Sequence, residues 1–195
     1  IFGKTVNSFN SLSLKPPLIL FSLGNYSSSI NSFIESKYLT INILSKKQRK
    51  ISDLFAKTNQ FNMTTVRYTE NEIERAMNRD IVFCFETSDR FGESGITGAS
   101  IIRCTNETAT IESFLLSCRI LGRNIEYEFL NQILRTLKSM SFKRVVANYI
   151  ETPKNKKFGD FYKAARLSTS DLNSYEVDLE TFQIDRIKYI EVNHE

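Results

Sequence analysis

Apolar positions divide the chain into short runs and helical repeats. Residues 111 to 116 form a short run of mainly large apolar side chains, the mark of a buried strand. Directly after it, Ile125, Phe129, Leu130, Ile133, Leu134 and Leu137 recur at helical spacing. A second apolar run from Val145 to Ile150 is broken at Thr152-Pro153 and leads into a helical stretch that carries Tyr162. Two strand, turn and helix units in one small domain predict neighbouring parallel strands whose carboxyl ends share a cleft.

The other elements follow from the same reading. Ile81–Phe85 and Gly98–Ile102 read as strands joined by a polar loop over 89–95, and Thr69 followed by acidic residues predicts a helix start. Between Gln48 and Lys57, Ile51, Leu54 and Phe55 share one side of an amphipathic helix with basic residues opposite. Alternation in Tyr175–Leu179 and Ile187–Val192 predicts edge strands. The expected architecture is α/β: a mixed, mostly antiparallel sheet with helices on both faces.

Charge is unevenly distributed. Residues 1–55 carry seven basic and two acidic side chains, a net +5, whereas 56–195 carry nineteen and twenty, a net −1, so the overall +4 comes from the front. With no long basic run and no aromatic-basic motif, a nucleic-acid partner is not expected. No run is long and apolar enough to span a membrane and no cleavable signal is evident, so a cytoplasmic protein is expected. Cys84, Cys104 and Cys118 lack metal-site spacing, so neither a metal centre nor a closed disulfide framework is expected. His194, the sole histidine, reads as a tail residue.

Arg119-Ile-Leu-Gly-Arg-Asn124 sits where the strand yields to the helix. Free N–H groups of a helix's first turn, beside Arg119 and Arg123, make an anion cradle suited to a phosphate or pyrophosphate. The plainer reading is a glycine that ends a strand, with solvated arginines. Asn155 and Tyr162, from the second unit, would then face the same cleft. Cys118 lies beside Arg119 just before the helix; it is either a nucleophile or a structural cysteine. Tyr162 is either a general acid, its phenol protonated at neutral pH with a pKa of about 10, or an aromatic packed with Phe158 and Phe161.

R-x-x-G-R at 119–123, with an Asn followed seven positions on by Tyr, resembles the GCN5-related N-acetyltransferase (GNAT) superfamily. More narrowly, Lys57-Thr-Asn-Gln-Phe-Asn-Met-Thr-Thr65, Arg67-Tyr68, Asp89-Arg-Phe-Gly92, Ser117-Cys-Arg119 and Thr152-x-Lys-Asn155 resemble the carboxy-terminal acyltransferase domain of FkbH-like proteins, from about Lys50 to the chain end. The resemblance implies transfer of a glyceryl-like acyl group to or from a phosphopantetheine thiol of an acyl carrier protein or CoA. It implies Arg119, Ile120, Leu121, Gly122, Arg123, Asn124 and Asn155 at the pantetheine pyrophosphate, Tyr162 as acid, and Phe61, Asn62 and Arg67 at the acyl pocket. The phosphatase domain that accompanies it in that family is missing from this chain. Arg166 stands where the superfamily has a glycine at a left-handed helix exit, which implies a shifted or strained helix end.

Gly3 to Ser22, Ser27-Ser-Ser29, Ile41-Asn-Ile-Leu-Ser45 and Gln48 resemble the flavin reductase family with its FMN-binding split barrel. That resemblance implies an FMN remnant at Thr5, Asn7, Ser8, Ser11, Ser13, Ser27, Ser28 and Ser29, although the plain alternative is a Ser/Asn-rich surface hairpin. Some fifty residues are too few to close a barrel. The expected organisation is a partial flavin reductase-like segment over 1–38, a junction of strand and helix over 39–56, and a GNAT-like domain over 57–195. Leu39–Leu44 is expected to serve as that domain's first strand. Alternatives for the whole are a flavin-binding oxidoreductase or module, and an inactive fusion.

Overall fold

The computed structural model describes residues 10–14, 17–20, 46–89, 92–171 and 173–193. The chain forms two compact units, Ile1–Ile43 and Leu44–Glu195. In the first, β1 (Asn10–Leu14) and β2 (Pro17–Leu20) pair as an antiparallel hairpin. The proposed strand at 39–44, the FMN-remnant residues Thr5, Asn7, Ser8 and Ser27 to Ser29, and His194 lie outside the described residues. Ser11 and Ser13 fall in β1, where the description extends to the backbone only.

The second unit contains α1 (Lys46–Lys57), α2 (Glu70–Arg79), β3 (Ile81–Asp89), β4 (Gly92–Thr105), β5 (Thr108–Leu116), α3 (Ile125–Ser139), β6 (Arg144–Asn148), α4 (Phe161–Ala164), β7 (Ser168–Asp171) and β8 (Ser174–Asp178). Its six-stranded sheet has the order β3-β4-β5-β6-β8-β7. Every neighbouring pair is antiparallel except β5 and β6, which run parallel from Thr108↔Arg144 to Ile111↔Ala147.

Alternation along β5 builds a core on each face. Leu115 packs with Ile51, Leu54 and Phe55 of α1, Ile73 and Ala76 of α2, and Ile101 of β4. Phe114 and Leu116 face the other way, into the cluster of Phe129, Leu130, Ile133, Leu134 and Leu137 from α3. Helices on both faces of a mixed sheet are thus what the apolar pattern predicts. Thr69 caps α2 with a reciprocal capping box to Glu72, satisfying two otherwise unpaired donors.

Two expectations are corrected. The polar stretch 89–95 is not wholly a loop, because the β3–β4 ladder continues through Ser88↔Glu93 and Asp89↔Gly92. Backbone pairing extends a hairpin without apolar side chains, and the register slips that accompany it absorb the twist. Residues 187–192 form no strand. The peptide N–H of Ile187 instead donates to Glu128 Oε2 (3.1 Å), so the tail is fastened to α3. The last strand on that edge is β7, whose exposed polar residues Ser168–Asp171 carry no apolar alternation.

Arg166 does take the left-handed conformation, at φ +68. Its N–H donates to Lys163 O (2.9 Å), and that of Leu167 to Tyr162 O (3.0 Å), the bond pair of a Schellman helix end. Ser141 closes α3 in the same way at φ +67, with Ser141 N to Lys138 O and Phe142 N to Leu137 O, both 3.1 Å.

Candidate functional site

β5 and β6 stay paired only as far as Ile111 and Ala147, and β5 then continues for five residues to Leu116. The edge exposed by this parting is taken by the chain itself. Met63 N donates to Phe114 O and Leu116 N to Phe61 O, both at 3.0 Å. On its other side the same segment receives Ile150 N at Met63 O (2.8 Å) and Asn155 Nδ2 at Asn62 O (2.9 Å). Residues 61–63 therefore act as a short extra strand wedged between two diverging ones.

Two buried asparagines make that wedge possible. Asn62, 1% exposed, accepts from Thr65 N through Oδ1 (2.9 Å) and donates through Nδ2 to Val66 O (3.4 Å), forcing a tight bend. Asn155, fully buried, accepts from Thr152 N (2.7 Å) and donates to Ile150 O as well as to Asn62 O, both at 2.9 Å. Both amide hydrogens of Asn155 are committed, so it has no donor left for a ligand. Asn155 is thus a positioning residue, in place of the pyrophosphate contact expected of it.

Phe61 is corrected likewise. It is 2% exposed and meets Phe158 and Phe161 edge-on, with centroids at 4.8 and 5.0 Å, so it anchors the loop from within the core. Asn62 is occupied by its own backbone contacts. Of the three residues expected at an acyl pocket, only Arg67 lines a groove, whose volume is about 270 Å³. Its other walls are Thr58, Asn59, Thr65, Thr152, Pro153 and Lys154. Asn59 Oδ1 holds the Arg67 guanidinium at 2.7 Å. Thr65 stands at φ +56, a strained conformation for a β-branched residue that costs roughly 1–3 kcal/mol. All six of these other groove residues sit inside the two motifs 57–65 and 152–155, which is the signal in the sequence that marks them.

At the end of β5 the chain enters a 3-10 turn, Cys118–Ile120, and then the bend before α3. Gly122 (φ +78) and Asn124 (φ +62) are both left-handed, turning the backbone sharply into a 15-residue helix. Cys118, Arg119, Gly122, Arg123 and Asn124 are exposed, Leu121 is half-buried, and Ile120 is a core residue at 2% exposure, contributing only backbone to the turn. Arg119 is steadied by Ser117 Oγ (3.3 Å) and Ser94 O (3.4 Å). Asn124 Nδ2 donates to Tyr189 Oη at 2.5 Å, which brings the tail onto the turn.

A carboxylate already sits here. Glu126, 8% exposed, accepts from Gly122 N through Oε1 at 3.3 Å, while its Oε2 is buried without a hydrogen-bond partner. The turn fits a phosphate: it is exposed, bears two guanidinium groups and opens a helix, where the backbone already receives an anion. The strand edge beside it is already occupied, because Leu116 N donates to Phe61 O and Phe114 O accepts from Met63 N.

Tyr162 is 1% exposed, its ring packed against Phe114, Phe161 and Tyr175. Burial pushes its phenol pKa far above the ordinary tyrosine value, with the Tyr175 phenol adding to the rise. Among the described residues the hydroxyl has no hydrogen-bond partner. The expected open contact between Tyr162 and a turn-bound ligand is therefore corrected: the phenol lies in the core.

A profile of the family described as "Flavin reductase like domain" matches residues 2–87, running through α1 and α2 into β3. The reductase component of the flavin-dependent trigonelline monooxygenase of Acinetobacter baylyi is 32% identical over 75 residues, 38% of this chain and 24% of its own. The chain thus spans about a quarter of that relative. Among solved structures, the ribosomal-protein-S18-alanine N-acetyltransferase of Escherichia coli superposes with a TM-score of 0.52 at 9% identity, covering 76% of this chain and 98% of that one. Rv2747 from Mycobacterium tuberculosis, solved in complex with CoA and NLQ, gives 0.50 at 11% identity, covering 64% and 68%. The sheet and its helices are a GNAT-type fold, and a flavin reductase-like sequence occupies the front of the chain. Among the described residues no helix is long and apolar enough to cross a membrane.

Proposed function

We propose that residues 57–195 are an acyltransferase domain of the FkbH type, moving a glyceryl-like acyl group to or from the phosphopantetheine thiol of an acyl carrier protein or CoA. The observation that carries this is the basic, left-handed turn at Gly122 and Asn124, which opens α3 directly after β5 has parted from β6. Arg119, Arg123 and the backbone of 120–124 would hold the phosphate end. Pantetheine, when bound, supplies the thiol that carries the acyl group.

The chain's own groups have separable tasks in this reading. Tyr162 Oη keeps its proton well beyond neutral pH, the state a general acid requires, and it lacks any competing acceptor. Cys118, exposed beside Arg119, is the candidate to hold an acyl group as a thioester before passing it on. Asn62 and Asn155 keep the wedge between the strands in place.

Binding of CoA to the full chain, followed by calorimetry, tests the proposal. Arg119→Glu with Arg123→Glu is expected to abolish it, and intact-mass analysis should detect acyl transfer to a holo acyl carrier protein. Equal CoA affinity in that double variant sinks the assignment of the turn. Full transfer by Cys118→Ala removes the thioester step alone.

The profile match over residues 2–87 and the 32% identical reductase component favour a second reading, a flavin-binding front. Purified protein mixed with FMN and passed through a desalting column should retain flavin absorbance under that reading. Colourless protein with all the FMN in the small-molecule fraction rejects it.

A further inference from the structure

The groove between the 58–67 loop and Thr152–Lys154 shares only Arg67 with the acyl pocket that the resemblance implies, and none of its other walls has a task in the transferase reading. Its lining contains two cationic side chains, Arg67 and Lys154, three threonines and no carboxylate. Both cations are exposed, and neither has an acidic partner among the described residues. Arg67 is instead fixed by the neutral oxygen of Asn59 at 2.7 Å, which orients the guanidinium while leaving its charge uncompensated. The ion pairs of this neighbourhood lie outside the groove, as with Lys156 and Glu151.

Both walls are fixed by buried hydrogen bonds. Asn62 holds Thr65 at φ +56, and Asn155 holds the Thr152 backbone, so both sides of the groove hang from one buried amide pair. Strained backbone that the surroundings over-determine recurs where a side chain must be aimed. A volume of about 270 Å³ falls just below the usual range for ligand pockets, roughly 300–1,000 Å³, and admits a compact molecule only.

We infer that this groove is a binding site for a small oxyanion, a carboxylate or a phosphate monoester, with Arg67 as its main contact, Lys154 as the second charge and the threonines of the lining as neutral donors. It does not depend on the acyltransferase reading. A planar guanidinium pairs with either anion through two parallel hydrogen bonds, and an ammonium adds charge without geometric demand.

The test is a titration of the full ¹⁵N-labelled chain with glycolate in one arm, inorganic phosphate in a second and sodium chloride at matched ionic strength in a third, read as amide shifts. Saturable shifts confined to residues near Thr65, Arg67, Thr152 and Lys154 are expected in at least one of the first two arms, and the tighter of the two identifies the anion. Arg67→Gln should weaken binding about tenfold, as loss of a charge-assisted hydrogen bond predicts. Lys154→Gln should weaken it by a smaller factor, and it serves alone if Arg67→Gln loses its dispersed spectrum. Arg49→Gln, remote from the groove, should match the parent. Shifts that follow ionic strength alone, or that persist unchanged in both groove variants, overturn the site. Saturation only at 119–124 overturns it too, while leaving the transferase proposal intact.

Discussion

Asn155 Nδ2 donates to the main-chain oxygen of Asn62 at 2.9 Å across 93 residues of sequence. This bond ties the loop after β6 to the segment that fills the gap beside β5, so the strand parting, the wedge and the groove depend on one contact.

Replacing Asn155 by Ala should therefore be costly. It strands the oxygen of Asn62 in a buried setting and the N–H of Thr152 and the oxygen of Ile150 in a half-buried one. Leaving such groups without partners costs about 1–3 kcal/mol each where water cannot enter, and a total of roughly 2–4 kcal/mol is expected in urea unfolding. A loss below about 0.5 kcal/mol, the level of an ordinary surface change, would show that the amide pair is not structural.

Tyr162→Phe should separate fold from chemistry. Removing a buried hydroxyl that has no partner is expected to leave stability unchanged or raise it by about 1 kcal/mol, while acyl transfer falls. The pH dependence has a definite sign. Because the folded pKa is raised, the unfolded chain loses the proton first, so the contribution of Tyr162 to stability is complete below pH of about 10 and declines above it. Alkaline unfolding should be less steep with pH in the Phe variant, although half-buried Tyr68 and Tyr127 and buried Tyr149 also have raised values and keep part of the slope. Identical slopes would mean that Tyr162 is not buried in solution.

Glu126→Gln tests whether the turn is an anion site. The carboxylate now accepts from Gly122 N and competes with any phosphate placed there. Removing one like charge at a helix start should tighten CoA binding about fivefold, on the order of 1 kcal/mol, in calorimetry at low salt. Unaltered affinity would put the phosphate elsewhere.

Ser141→Gly should stabilise the domain. Ser141 is exposed at φ +67 and closes α3 in a position that glycine adopts without a Cβ penalty. A gain of about 0.5–1 kcal/mol in chemical denaturation is expected, and a loss would indicate a different helix exit.

Much of the scaffold is legible in the order of residues, because burial imposes a period on them. The apolar repeat of α3, the amphipathic face of α1 and the capping pair Thr69 and Glu72 are local signals, and each names its element without reference to the rest of the chain. The turn at 119–124 is readable for the same reason: a glycine between arginines, after a strand and before a helix, carries its own geometry. The left-handed exit at Arg166 is legible only through the resemblance, which has a glycine at that place.

What local order did not determine is which polar side chains face a ligand. Asn62, Asn155 and Tyr162 carry chemistry suited to a site, yet the fold turns all three inward, because the gap where β5 leaves β6 must be filled and its backbone groups must be paired. Arg67 and Lys154, far apart in the chain, meet at one groove through that same pairing. Periodicity settles how each element forms; the partners of buried donors and acceptors are chosen only when distant segments close on one another, since a hydrogen bond inside the core is directional and leaves no written period.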